Sequence, residues 1–202
     1  MKKICLYLLT IICFCSPCLA AGPEVMMGGG VAIGVSCNTT TPVMSAETRN
    51  DYQFLARTTN LFVATMIIPS SQISLCGISV NLLRAGSPSF TITVSIYSNN
   101  ATPSDRPGSL IASATSSPID CDVDIPDDSA YHWIYSSFNT TLSSSIKYWI
   151  VLAASSMGDS SNHIRVGDQT SYTDMRSALS TDGSTWSPTA SYEFNFKAFA
   201  NE

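Results

Sequence analysis

The sequence predicts an all-β protein, an antiparallel two-sheet β-sandwich of jelly-roll type, on three observations. Apolar and polar residues alternate with a period of two, helical periodicity is nearly absent, and the alternating segments are parted by clusters of Pro, Gly, Ser, Asn and Asp. The clearest strand is Phe90 to Tyr97, where Phe90, Ile92, Val94 and Ile96 alternate with Thr91, Thr93 and Ser95, so that one face is buried and the other wet. In Ile73 to Leu83 the apolar set is Ile73 and Leu75, then Ile78, Val80 and Leu82. The phase slips by one residue at Cys76-Gly77, which predicts a β-bulge there. Further strands are expected at Asn60 to Ile68, Leu110 to Thr115, His132 to Phe138, Tyr148 to Ala154, Ile164 to Gly167 and Tyr192 to Phe199. The one stretch with helix-like spacing, around Asp174 to Leu179, is too short to stand alone. Strands without interleaved helices close a core by stacking two sheets face to face.

Composition bounds the function classes. The chain has 202 residues, of which 12% are charged and 45% hydrophobic, a balance that fits one domain with a packed core. Ten Lys+Arg against 15 Asp+Glu leave a formal charge of −5, which argues against nucleic acid as a partner because duplex binding needs clustered cations. Lys2 and Lys3 precede an apolar run from Ile4 to Phe14, and Cys18-Leu19-Ala20 supplies small residues at the positions a signal peptidase reads. Residues 1–20 are therefore expected to be a signal peptide, with residues 21–50 a flexible Gly/Thr-rich arm and residues 51–202 a single sandwich. No transmembrane span is expected after cleavage, and the localisation is secreted or extracytoplasmic, in a periplasm or at a cell surface. Three cysteines remain beyond the leader, Cys37, Cys76 and Cys121, so one disulfide and one odd thiol are expected in an oxidising compartment. Cys76 with Cys121 is the expected pair, since Cys37 lies in the loosely patterned arm.

Several constellations bear on chemistry. Asp120-Cys121-Asp122-Val123-Asp124, followed by Asp127-Asp128, reads as a solvated acidic loop. If it holds a metal, the hard oxygen ligands suit calcium, with Asp120, Asp122 and Asp124 as ligands, although Pro126 and Tyr131 fall where an EF-hand needs other residues. Tyr131, Trp133 and Tyr135 alternate along one strand, and Tyr148-Trp149 open another. Such a stripe suits stacking on sugar rings, but Trp133 and Trp149 read as core-facing. Tyr172 and Trp186, in loops, together with His163, are the candidate ligand-binding residues, because loops carry function on such scaffolds. Ser180-Thr-Asp-Gly-Ser-Thr-Trp186 is similar to the Asp-box of sugar-active proteins, in which the Asp caps a hairpin and the Trp packs behind it; Asp182-Gly183 alone signals a type I′ turn. The serines sit in no nucleophile-elbow setting, His132 and His163 have no recognisable partners, and no Glu/Asp pair stands out for glycoside cleavage, so no catalytic residues are expected.

The blocks Phe90-Thr-Ile-Thr-Val-Ser-Ile-Tyr97, Pro107-Gly-Ser-Leu-Ile-Ala-Ser113, Lys147-Tyr-Trp-Ile-Val-Leu152 and Ser180 to Trp186, in that order, resemble the secreted bacterial domains called choice-of-anchor R. The likeness runs from about Asn60 onward. It implies an extracytoplasmic β-sandwich displayed on or released from a cell surface, and it carries no known catalytic residues. The expected function is a non-catalytic recognition module that binds carbohydrate or another surface component through loops at one end of the sandwich. The alternative is a structural or adhesive surface protein that self-assembles or docks on an envelope partner.

Overall fold

The computed structural model describes residues 36–47, 51–57, 59–169, 177–189 and 193–202. The expected signal peptide and Tyr172 lie outside the described residues. The strands are β1 (Met44–Ala46), β2 (Asp51–Leu55), β3 (Phe62–Ile67), β4 (Ile73–Ala85), β5 (Thr91–Asn100), β6 (Arg106–Thr115), β7 (Ile119–Asp120), β8 (His132–Leu142), β9 (Tyr148–Ala154), β10 (His163–Gln169), β11 (Ser177–Ser180), β12 (Ser187–Thr189), β13 (Glu193–Phe194) and β14 (Phe196–Ala200). They form two antiparallel sheets of seven strands each, and no helix occurs among the described residues. The first sheet contains β1, β2, β4, β8, β10, β13 and β14; the second contains β3, β5, β6, β7, β9, β11 and β12. From β7 to β11 each successive strand changes sheet, so the chain winds around the core as in a jelly roll.

Period-two alternation builds the core between the sheets. Ile92, Val94 and Ile96 of β5 and Tyr148, Ile150 and Leu152 of β9 meet Ile78, Val80 and Leu82 of β4 and Ile164 and Val166 of β10 in one buried cluster. In β4 the register shifts between Leu75 and Gly77 on the β8 side, as the phase slip at Cys76-Gly77 requires. The bulge lets Leu75 and Ile78 both face the core at 0% exposure while Cys76 turns to the outer face. On its other side β4 pairs with β14 through Leu75–Val80 and with β10 through Leu82–Ala85. The two partners diverge, and the last segment of the chain fills the fork: β13 pairs with β10, β14 pairs with β4, and Asn195 between them donates its N–H to Gly167 O and accepts from Asn81 N.

The stretch with helix-like spacing, too short to stand alone as a helix, ends in strand β11, whose Ser177–Ser180 pairs with β3. Two expectations are corrected. The arm does not extend to residue 50. Met44–Ala46 adds to the first sheet beside β14, and Cys37 bridges to Asn201, so residues 36–47 belong to the sandwich. The disulfide joins Cys37 to Cys76, with Cα atoms 5.7 Å apart, and not Cys76 to Cys121. Cys76 faces outward at the bulge, where the docked arm passes, whereas Cys121 sits at 0% exposure in the main core as a free thiol. Burial first, and then Asp120 and Asp124, push that thiol up to about 12.

Candidate functional site

The outer face of the first sheet carries the feature that stands out. In β8, Ile134 is half-buried against the main core, and Ser136 and Phe138 are buried on the same side. By alternation Trp133, Tyr135, Ser137, Asn139 and Thr141 lie on the opposite face, and all five are exposed. Trp133 is 36% and Tyr135 40% exposed, against 0% for Trp149 and 8% for Trp186. Trp133 and Tyr135 stand two residues apart on one strand, about 7 Å along it. The reading of Trp133 as a core residue is thus corrected, while Trp149 is buried.

Neighbouring strands fix both rings. Ser45 of β1, Lys197 of β14, Ser79 of β4 and Tyr135 form one row of register partners across the sheet. From that row the Lys197 ammonium reaches over the Trp133 indole, 4.5 Å from the ring centroid, and is held by Glu47 Oε2 at 3.0 Å. The Glu47 carboxyl is kept below its ordinary value chiefly by this hydrogen bond. Tyr135 lies flat over Gly77, where a Cβ would come 2.6 Å from the Tyr135 ring. The ring reaches Phe199 at 5.9 Å, and its hydroxyl donates to Cys76 O at 3.3 Å and lies 3.2 Å from Cys37 Sγ. Glycine at the bulge and the disulfide beside it therefore seat this aromatic. The face presents two exposed rings with a paired Lys/Glu at its margin.

Tyr172 lies outside the described residues, and the other ligand candidates drawn from the sequence, His163 and Trp186, are buried away from the two exposed rings. His163 is 3% exposed, and burial, followed by Arg165 and Arg57, lowers its pKa. It opens β10 opposite Ala85, so it is a buried residue and not an exposed loop ligand. Trp186 packs edge-on against Phe62, with centroids 6.1 Å apart, in a second apolar cluster with Met66, Trp149, Val151 and Ala178. Its loop is built as the Asp-box likeness implies: Asp182 Oδ1 accepts from the amides of Ser184 (2.8 Å) and Thr185 (2.6 Å), and Ser180 Oγ accepts from Gly183 N at 2.8 Å. The turn is not type I′, because only Gly183 of the Asp-Gly pair has positive φ, at 72°.

The acidic run is also committed within the protein. Asp120 Oδ1 accepts from Asp122 N, Asp124 Oδ2 accepts from Asp120 N, and Arg84 bridges Asp122 and Asp127 at 3.2 Å each. Calcium needs six to eight oxygens converging on one point. Among the described residues no group of three or more His, Cys, Asp or Glu could hold a metal ion, so Asp120, Asp122 and Asp124 are not gathered as the ligands they would be if the loop held calcium. His132 bonds Asp128 at 2.8 Å, and alternation places it on the inner side of β8 while His163 lies on the outer side of β10. The two imidazoles do not share a cleft.

A second feature adjoins the aromatic face. Between the Ser116–Ile119 corner and β8 runs a cleft of about 340 Å³ at the open flank of the sandwich, with Tyr135, Ser136, Ser137 and Asp124 in its lining. Among the described strands β8 has a neighbour on one side only, β4, so its free edge borders this cleft.

No protein-family model, curated protein or solved structure matches the chain. Its functional reading therefore rests on the site itself. No helix among the described residues is long and apolar enough to cross a membrane.

Proposed function

We propose that the chain is an extracytoplasmic, non-catalytic recognition module that binds glycan across the outer face of the first sheet. The observation that carries this is the pair Trp133 and Tyr135, exposed on one strand face and fixed in place by Lys197 and by Gly77 with the disulfide. Exposed aromatics cost solvation on a free surface, and rings held rigidly in register lose little entropy when a ligand stacks on them. Pyranose C–H faces suit such rings, and the flanking Lys197 and Glu47 offer hydrogen bonds at the margin. The apolar N-terminal segment and the disulfide favour an oxidising, extracytoplasmic setting. The resemblance to choice-of-anchor R domains favours a surface-displayed or released protein. This reading moves the binding surface from the loops at one end of the sandwich to a sheet face.

Tryptophan fluorescence tests it. The chain has three tryptophans, of which Trp149 and Trp186 are buried, so a ligand-dependent change in emission reports Trp133. Titration with a glycan that binds shifts the emission of the protein and leaves that of Trp133→Phe unshifted. Emission unchanged across a broad glycan panel contradicts the reading. The alternative, an adhesive protein that assembles through strand edges, is favoured by the 11-residue edge of β8, which contains no Pro, Lys or Arg to block pairing. It predicts concentration-dependent association in sedimentation, which the glycan reading does not.

A further inference from the structure

The cleft beside β8 adds a second element to the glycan-binding reading, on which this inference rests. We propose that it is a subsite for a non-acidic sugar residue of the chain that lies on Trp133 and Tyr135, with Ser136 as its hydrogen-bonding floor.

Continuity is the first argument. Tyr135 lies on the outer face with its ring over Gly77 and also lines the cleft, so a ligand stacked on Tyr135 need only turn over the edge of β8 to enter it. Among the described strands that edge has no neighbour, and backbone N–H and C=O groups of an unpaired edge stand ready for hydrogen bonds.

The second argument is the state of Ser136. Its side chain is 4% exposed, lines the cleft, and its Oγ makes no hydrogen bond. A buried hydroxyl without a partner is a cost that folding does not recover, and valine or alanine would fill the position more favourably. The nearby Ser116 shows the contrast: its Oγ donates to Ser117 O at 2.8 Å and accepts from Val94 N at 3.0 Å, and so is a structural hydroxyl. Ser136 has no such duty, and a ligand hydroxyl in the cleft would supply the missing partner.

The third argument sets the ligand class. Pro118, Ile119 and Ile134 give one apolar wall, and serines give a hydroxyl-lined remainder, a mixture that matches the two-sided chemistry of a sugar ring. Among the described residues that line the cleft, Asp124 is the one Asp, Glu, Lys or Arg. Asp124 accepts at Oδ2 from Asp120 N at 2.8 Å, which holds the carboxylate at the cleft. Carboxylated or sulfated sugars are repelled here, whereas neutral or amino-bearing ones are accepted.

The test is affinity electrophoresis of the full-length chain through gels containing neutral polysaccharides (galactomannan, xyloglucan, hydroxyethylcellulose) and acidic ones (polygalacturonate, alginate). The expected result is retardation by a neutral glycan and none by the acidic ones. Ser136→Ala should weaken that retardation about fivefold, the scale of one lost hydrogen bond, while its thermal midpoint is unchanged or higher. A purely structural serine would leave binding untouched. Ser117→Tyr, which fills the cleft from the exposed side, provides a second variant and should weaken binding likewise. If both variants bind as wild type while Trp133→Ala does not bind, the subsite is overturned and the aromatic face stands. Equal retardation by acidic glycans overturns the assigned ligand class. If no glycan retards the wild type, the underlying reading fails and the subsite with it.

Discussion

Removing the Cys37–Cys76 disulfide is the perturbation whose size follows most directly from the structure. The bond closes a loop with a sequence separation of 39. On the chain-entropy account, a loop of that length removes about 13 cal/mol/K from the unfolded ensemble, or about 4 kcal/mol at room temperature. The double variant Cys37→Ser/Cys76→Ser should therefore lose up to about 4 kcal/mol. With a urea m-value of about 2 kcal/mol/M, the midpoint should fall by about 2 M. The expected alternative, Cys76 with Cys121, would close a loop of similar length and give a similar loss, so stability alone does not separate the two pairings. Tryptic mapping without reduction does, because in the chain cleaved after Ala20 Cys37, Cys76 and Cys121 fall in three different peptides, Ala21–Arg49, Thr58–Arg84 and Ala85–Lys147. The structure predicts a cross-link between the first two and none involving the third. A linked Thr58–Arg84/Ala85–Lys147 species, or an unchanged midpoint in the double variant, would refute the reasoning.

Two further outcomes follow from the same face and its surroundings. Gly77→Ala puts a methyl group into the Tyr135 ring, so Tyr135 must swing off the sheet; about 1–3 kcal/mol of stability should be lost, and near-ultraviolet circular dichroism of tyrosine should change, whereas an unaltered spectrum and midpoint would contradict the seating of Tyr135. Stability should fall in two stages on acidification. Burial holds the folded-state pKa of His163 below its ordinary 6.5, so below that pH the unfolded chain takes up a proton that the folded chain refuses, and stability is lost as pH drops from about 6.5 toward the folded value. Glu47, Asp128 and Asp159 are depressed below their ordinary values, so their contribution is present above those values and is lost only as pH falls through the folded ones. Thermal midpoints measured from about pH 7 downward should show both stages, and His163→Gln should remove the first alone; a midpoint flat to about pH 5 in the wild type would contradict the burial of His163.

Much of the fold was legible in the sequence because period-two alternation is a direct record of two-sided strands. Tyr148 to Ala154 is a strand with the expected bounds, and the phase slip at Cys76-Gly77 is a real bulge. The short strands β1, β7 and β12 were not legible, since two or three residues cannot display a period; they exist through pairing with distant partners. The docking of Cys37 was hidden for the same reason. The aromatic face illustrates a subtler loss. Ending the strand at Phe138 left Tyr131, Trp133 and Tyr135 as an apolar stripe that resembles a core face. Continuing the alternation to Leu142 groups Trp133 and Tyr135 with Ser137, Asn139 and Thr141, and leaves Ile134, Phe138 and Leu142 for the core, which is what the structure has. Lys197 and Glu47 could not be found from sequence, because Lys197 reaches Trp133 across strand β4 and Glu47, which holds it, comes from the opposite end of the chain. Trp186 and His163 misled because loop position stood in for exposure. A tight turn capped by Asp182 presses Trp186 onto Phe62, and His163 lies inside the pairing of β10 with β4.

The central claim is that the outer face of the first sheet is the recognition surface, and the most direct measurement compares wild type, Trp133→Ala and Tyr135→Ala by affinity electrophoresis through a panel of soluble polysaccharides. Each ring is exposed, so truncation should leave the fold intact while removing the cation–π contact of Trp133, or the Phe199 contact of Tyr135 and its hydroxyl's bond to Cys76 O. Binding should weaken by about thirtyfold, the scale of about 2 kcal/mol typical of a buried aromatic anchor. Retardation of the wild type by a glycan, lost in both variants while each still melts cooperatively, is the predicted result. Retardation that survives in both variants would place the binding surface elsewhere and contradict the account.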